Sequence, residues 1–237
     1  MKKNLFIITV FSLLFHAGKA DAQLNATLAG HWGYGPCWSV SPAANYTYMG
    51  SGCVFMIMNN SNPAALQKVG EIRLPNVVED IQVIGNIAYI ADNEAGLRIV
   101  NISNPALPVE TGSINTLNYA VEVAVSGNYA YVADLSSGLK IINISNPSNL
   151  QIVGSYQTTG AARAVAAAGN YVYLADDQFG LKILNVSNPA APTLTGSCAT
   201  TGDPMGIFLT GNYVYLADNT GVRIINVSNP ATPFIAS

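Results

Sequence analysis

An all-β fold of short antiparallel strands, grouped four to a unit and repeated five times, is predicted by three observations. A Gly-Asn pair recurs every 42 residues, at Gly85, Gly127, Gly169 and Gly211. Each pair opens an alternating strand, of which Asn170-Tyr-Val-Tyr-Leu-Ala-Asp176 is typical. Half of the residues are hydrophobic and only 10% are charged, with 21 Gly and 12 Pro to make turns. Fixed-period self-similarity decides architecture before any single residue does. It also aligns the chain against itself, so recurring positions read as scaffold and breaks in the pattern as candidates for function.

Residues 1–22 come first and read as a secretory signal. Lys2 and Lys3 are the charged start, residues 5–15 the apolar core, and Ala20-Asp21-Ala22 a small-x-small cleavage site. The apolar run is shorter than the roughly 20 residues a bilayer span needs. No Cys stands at the cleavage site to take a lipid. The mature chain, residues 23–237, is therefore expected to be secreted or held at the cell surface. The whole chain has 13 acidic and 10 basic residues. With no basic run or stripe, nucleic acid is excluded as a partner.

The fourth unit shows the plan of each blade-sized repeat. Residues 164–168 are a first strand, and Gly169-Asn170 is a two-residue turn signal. Residues 171–175 are a second strand, 176–180 a turn and 181–186 a third strand. Ser187-Asn188-Pro189 breaks that strand, because Pro cannot join a ladder and biases Asn188 toward extended backbone. Residues 193–198 are the fourth. Four short strands in 42 residues is the size of one propeller blade. Units begin near Cys37, Val78, Ala120, Arg163 and Met205 and fill most of residues 23–237. Residues 27–32 read as a fourth strand with no strands before it, and the fifth unit runs out soon after Pro230. The economical solution is a five-bladed β-propeller whose ring is closed by residues 27–32 as the outer strand of the last blade. Residues 233–237 have no assigned place. The alternative is a fragment of a larger propeller.

The wording of the repeat resembles the LVIVD-repeat family of bacterial exported propeller proteins. The matching residues are Gly127-Asn-Tyr-Ala-Tyr-Val-Ala-Asp134, Gly138-Leu-Lys-Ile-Ile-Asn-Ile-Ser-Asn-Pro147 and their counterparts ending at Pro105, Pro189 and Pro230. The resemblance covers roughly residues 24–237. It implies an extracytoplasmic propeller, often at the cell surface, with no settled biochemical activity and no catalytic residues to carry over.

Most recurring polar residues read as scaffold. Asp92, Asp134, Asp176 and Asp218 end the second strand of four units, and Arg98, Lys140, Lys182 and Arg223 come to the facing position across the hairpin. In the first unit Ser51 and Met56 replace both partners, so the pair is kept or lost together. That covariation predicts a cross-strand ion pair with turn capping. Asn101, Asn143, Asn185, Asn226 and Asn59 sit in Asn-x-Ser sequons, but their regular place before Asn-Pro fits a turn role. The tyrosines at alternate strand positions, such as Tyr129 and Tyr131, recur in register and predict packing between blades rather than a sugar-stacking array.

The breaks in the repeat carry the functional reading. The mature chain has one histidine, His31, which argues against zinc sites and His-dependent triads. Cys37 and Cys53 are a candidate disulfide and Cys198 is left over. At the start of the innermost strands stand Trp38, Glu79, Arg163 and Met205, followed by Asp80 and Glu122; the preceding loops add Tyr34, Tyr119 and Asp203. In a propeller these positions gather at one mouth of the central channel. Tyr34, Trp38, Glu79, Asp80, Tyr119, Glu122, Arg163 and Asp203 are the candidate binding site, since a few polar groups among aromatic walls suit a ligand. No cofactor and no metal are expected, the carboxylates lacking a calcium-loop spacing. The reading is a non-enzymatic exported binding protein with a protein or glycan partner. The rivals are a polysaccharide-acting enzyme using two of the carboxylates as acid and base, and a truncated product with no independent role.

Overall fold

The structure, a computed structural model, describes residues 37–62 and 64–237. It contains five four-stranded antiparallel sheets, and in each of them sequence neighbours are sheet neighbours. The first holds β1 (Cys37–Ala43), β2 (Tyr46–Ser51), β3 (Val54–Asn59) and β4 (Gln67–Arg73). The second holds β5 (Asp80–Ile84), β6 (Ile87–Ala91), β7 (Leu97–Asn101) and β8 (Val109–Ile114). The third holds β9 (Glu122–Ser126), β10 (Tyr129–Ala133), β11 (Leu139–Asn143) and β12 (Gln151–Tyr156). The fourth holds β13 (Ala162–Ala168), β14 (Tyr171–Asp176), β15 (Gly180–Asn185) and β16 (Thr193–Cys198). The fifth holds β17 (Pro204–Thr210), β18 (Tyr213–Asp218), β19 (Gly221–Asn226) and β20 (Phe234–Ile235).

Local chemistry sets these boundaries. Gly127 turns β9 into β10 at φ 57° and Gly169 turns β13 into β14 at φ 56°. Nothing lies within 4 Å of either position, so the backbone angle alone calls for glycine. The sequon asparagines close the other end of the sheet. Asn101, Asn143, Asn185 and Asn226 each accept from the N–H of the serine two residues on, at 2.9, 3.0, 2.9 and 2.9 Å. That is the turn role expected of them.

Apolar residues of adjacent sheets meet face to face. Tyr48, Phe55 and Ile57 pack on Ile81, Ile90 and Val100 across the first seam. Tyr131, Leu139 and Ile141 meet Val172, Leu174 and Leu184 across the third. Tyr48 and Tyr131 are buried in these seams and Tyr173 in the fourth, the inter-sheet packing predicted for them. A second device recurs at each seam. A glycine of the fourth strand lies against a carbonyl of the next sheet's Ser-Asn-Pro segment. An added Cβ would sit 2.1, 2.1, 1.9 and 2.2 Å from the carbonyl oxygens of Pro105, Pro147, Pro189 and Pro230, at Gly70, Gly112, Gly154 and Gly196.

The first strands follow one another in contact, β1 with β5, β5 with β9, β9 with β13 and β13 with β17. No comparable packing of β17 on β1 occurs among the described residues. The outer place beside β19 is taken by β20, with Ile225 opposite Ile235 and Asn226 opposite Phe234. Residues 233–237, unplaced from sequence, therefore hold the start of a fourth strand. Residues 27–32, expected at that edge, lie outside the described residues, as do residues 1–22 and Tyr34.

Candidate functional site

The recurring Asp residues are buried and hold the links between sheets. Asp92, Asp134 and Asp176 are fully buried. One oxygen of each accepts from the link leading into its own sheet: Asp92 Oδ1 from Asn76 N at 3.2 Å, Asp134 Oδ1 from Thr116 Oγ1 at 2.6 Å, Asp176 Oδ1 from Gly160 N at 2.8 Å. Asp218 caps its own turn, accepting from Thr220 N and Oγ1 at 2.8 and 2.6 Å. The expected ion pairs form in two sheets only, Arg98 Nε to Asp92 Oδ2 at 3.3 Å and Arg223 Nε to Asp218 Oδ2 at 3.4 Å. They run diagonally, because the residues facing the bases are Ile90, Val132, Leu174 and Leu216. Lys140 and Lys182 reach no such pair among the described residues, and Lys182 Nζ lies 5.7 Å from the centre of the Phe179 ring. A compact ammonium on a flexible stem lacks the fork that lets arginine reach back.

The inner strands line a cavity of about 560 Å³ that includes Asp80, Gln82, Glu122, Ala166, Ala168 and Phe208. Asp80 opens β5 and Glu122 opens β9, so both stand at one end of it. The Asp80 carboxylate bridges three sheets: Oδ1 accepts from Ser39 Oγ at 3.4 Å and Oδ2 from Val123 N at 3.1 Å. Gln82 accepts from Val125 N, and the Glu122 carboxylate accepts from Val165 N. An innermost strand has an unpaired row of N–H groups along its edge. These side chains satisfy part of that row from the sheet before. Both carboxyls keep some surface toward the cavity, yet protein surrounds them closely. Burial pushes Asp80 above the usual carboxylate range. Burial, and then the charge of Asp80, push Glu122 well above it.

Of the other predicted residues, Glu79, Asp203 and Arg163 are each tied within their own sheets. Glu79 Oε1 accepts from Asn93 Nδ2 at 2.6 Å, and Asp203 Oδ2 from Asn219 Nδ2 at 3.0 Å. Arg163 Nη2 pairs with Asp177 Oδ2 at 3.1 Å, so its charge is answered within its own sheet. Trp38 and Met205, repeat-equivalents of Glu79 and Arg163, are 54% and 53% exposed. Tyr119 is 42% exposed beside Leu117, which is 82% exposed and held at φ 78°. A bulky residue in that region is an outlier. The N–H of Leu117 is held by Asn115 Oδ1 at 2.6 Å. Sequence reasoning missed Gln82, although a polar residue where Ala124 and Ala166 stand in the next units was the available signal. It also missed Thr116 and Leu117, for which no signal existed.

The disulfide is not formed. Cys37 and Cys53 are free thiols, and Cys37 Sγ donates to Ser39 O at 3.2 Å along its own strand. No three His, Cys, Asp or Glu residues are grouped to hold a metal ion among the described residues.

A family model described as the LVIVD repeat matches residues 77–116, 118–158, 159–200 and 201–237. No curated protein matches the chain. Two crystal structures of computationally designed proteins are similar. The Ika8 protein is 12% identical, with a TM-score of 0.69 over 85% of this chain and 60% of that one. The Ika4 protein is 14% identical, with a TM-score of 0.56 over 67% of this chain and 95% of that one. This chain thus spans 60% of the matched Ika8 chain, and the likeness concerns the fold alone.

Proposed function

This chain belongs to the LVIVD repeat family, and from that premise we propose an exported, non-enzymatic binding protein whose protein partner presents a basic group to the inner end of the sheets. The five sheets are its propeller blades, and on this proposal residues 27–32 would close the ring along the part of β19 that residues 234–237 leave uncovered. What supports closure is the edge left at Val222 and Arg223. Their counterparts Leu181 and Lys182 pair with Cys198 and Ser197, whereas residues 234–237 cover only Ile224, Ile225 and Asn226.

The observation that carries the binding reading is the placement of Asp80 and Glu122 on one cavity, below a rim where Trp38 and Met205 are exposed. Two carboxyls raised by burial, Glu122 further by the charge of Asp80, gain most from a cation entering the cavity. Ala166 and Ala168 leave room for it. Acid–base chemistry on a polysaccharide is less well served, because both oxygens of Asp80 are already acceptors.

Fluorescence anisotropy at pH 7.5 tests this with labelled octa-lysine, octa-glutamate and a panel of neutral oligosaccharides. Octa-lysine should bind, more weakly with salt, and Asp80→Asn with Glu122→Gln should weaken it tenfold or more. Glu110→Gln, on the outer strand β8, should leave it unchanged. Equal losses from both changes would mean general charge attraction, and preferential binding of an oligosaccharide would make the partner a glycan.

A further inference from the structure

We propose that Asp92, Asp134 and Asp176 are proton-operated latches on the links that frame the rim, holding those links firm in mild acid and loosening them as the pH rises. This deepens the reading of that rim as the binding face, adding its regulation, and rests on it.

The geometry repeats in three consecutive sheets. Each carboxyl is fully buried at the end of the second strand. One oxygen fastens the incoming link, at Asn76, Thr116 and Gly160 respectively. The other, Oδ2, is buried in all three with no hydrogen bond, and only that of Asp92 has a charged neighbour in ion-pair range, Arg98 Nε at 3.3 Å. A buried carboxylate oxygen with no donor costs far more when charged than when it carries a proton. The charged groups around each are few. Asp92 faces Arg98, which it shares with Glu110 at 3.2 Å, and Glu110 opposes it. Asp134 faces Thr116 and, across a longer distance, Lys140. Asp176 faces the N–H groups of Gly160 and Thr159, Lys182, and the like charge of Asp177. In each case burial outweighs these partners. It lifts Asp92 and Asp134 to about 6 and raises Asp176.

Asp218 is the internal control. Its Oδ2 is likewise buried without a hydrogen bond, but its Oδ1 caps its own turn instead of a link, and hydrogen bonds from Thr220 with the charge of Arg223 outweigh burial and hold it below the usual range.

The sign follows from linkage. A link that opens returns its carboxyl to water and to an ordinary value near 3.8, while the closed link holds the proton up to about 6. The closed state is therefore favoured fully below the ordinary value, and the advantage is lost as pH rises through about 6. For one group the ratio of open to closed changes by at most about a hundredfold over the window. The links concerned carry Leu117 and Tyr119, so the same proton sets how firmly the exposed rim is held.

Hydrogen exchange between pH 5 and 8, corrected for intrinsic rate, reads the links directly. Residues 116–121 should lose protection by up to about tenfold as pH rises, and residues 200–205, beside Asp218, should not. Asp134→Asn should make residues 116–121 insensitive to pH while Asp218→Asn changes nothing. Carbon-13 titration of the wild-type carboxyls covers the case in which a variant fails to fold. Asp134 titrating near 4 or below, or protection of residues 116–121 that does not change with pH, overturns the latch. Octa-lysine binding on the same samples separates the two readings. An unresponsive link with binding intact removes the latch alone. A titrating link without binding leaves the latch standing and removes the proposed partner.

Discussion

Gly154 carries the sharpest stability prediction. It sits in the outer strand β12, pointing at the next sheet, where a methyl group would lie 1.9 Å from the Pro189 carbonyl oxygen and 3.0 Å from its carbon. Real carbon–oxygen contacts stay beyond about 3 Å, so one of the two sheets must retreat by about 1 Å. The obstacle is backbone, which cannot rotate away as a side chain can. Overpacking of this kind costs about 1–3 kcal/mol, and a rigid carbonyl places Gly154→Ala at the upper end. Glycine inside a strand otherwise weakens it by about 0.5–1 kcal/mol, so the net loss is about 2 kcal/mol, or about 4–8 °C in Tm for a chain of this size. Gly169→Ala is the contrasting change. It meets nothing within 4 Å but holds φ 56°, and it should lose about 1–2 kcal/mol through backbone strain alone. Urea unfolding followed by circular dichroism compares the two, with limited proteolysis to show whether the seam between the third and fourth sheets opens first. Gly154→Ala at or above wild-type stability, beside a destabilised Gly169→Ala, would refute the claim that this seam depends on a bare backbone.

Two further outcomes follow from buried titratable groups. Burial raises Asp80, Asp92, Asp134, Asp176 and Glu122, so the folded chain binds protons that the unfolded chain releases. Its unfolding free energy should rise on acidification from pH 8 to 5, by about 2–3 kcal/mol from Asp92 and Asp134 together; a urea midpoint that falls over that window contradicts the burial argument. Burial raises the thiols of both Cys37 and Cys198, and of the three cysteines Cys198 is the buried one, so with a thiol reagent near neutral pH it should be the slowest. Cys198→Ser should remove only the slow phase.

The strands and their grouping were legible because their signals are local. Gly-Asn turns, alternation and Ser-Asn-Pro breaks are each readable within ten residues. What joins the sheets was not, since it depends on partners about forty residues apart. The fourth-strand glycines recur as plainly as the turn glycines, yet nothing in the sequence says that Gly154 faces Pro189. The recurring Asp shows the same limit. Its covariation with a base suggested a facing ion pair, whereas its nearer partner is backbone or hydroxyl of the incoming link. At the inner end, Asp80 and Glu122 were singled out as breaks in the repeat, and both reach the cavity. Glu79, Arg163 and Asp203 were singled out by the same logic and turn to neighbours in their own sheets. A residue type at a mouth does not reveal which of two adjacent positions points inward; strand register does.

That register gives the cavity a direction. The position held by Asp80 in the second sheet is Ser39 in the first, Glu122 in the third, Ala164 in the fourth and Gly206 in the fifth. Side-chain size and charge rise and then vanish along the row. One turn further in, Gln82 gives way to Ala124 and Ala166 and then to Phe208. The wall formed by the second and third sheets is thus acidic and hydrogen-bonded, and the wall formed by the fourth and fifth is small-residue and apolar up to Phe208. A ligand entering here meets carboxyls on one side only. Its charged end belongs against Asp80 and Glu122, and its hydrocarbon against Ala166, Ala168 and Phe208. A basic side chain, with a cation on an aliphatic stem, has that polarity, whereas a neutral sugar would leave the apolar wall unmatched and the carboxyls uncompensated.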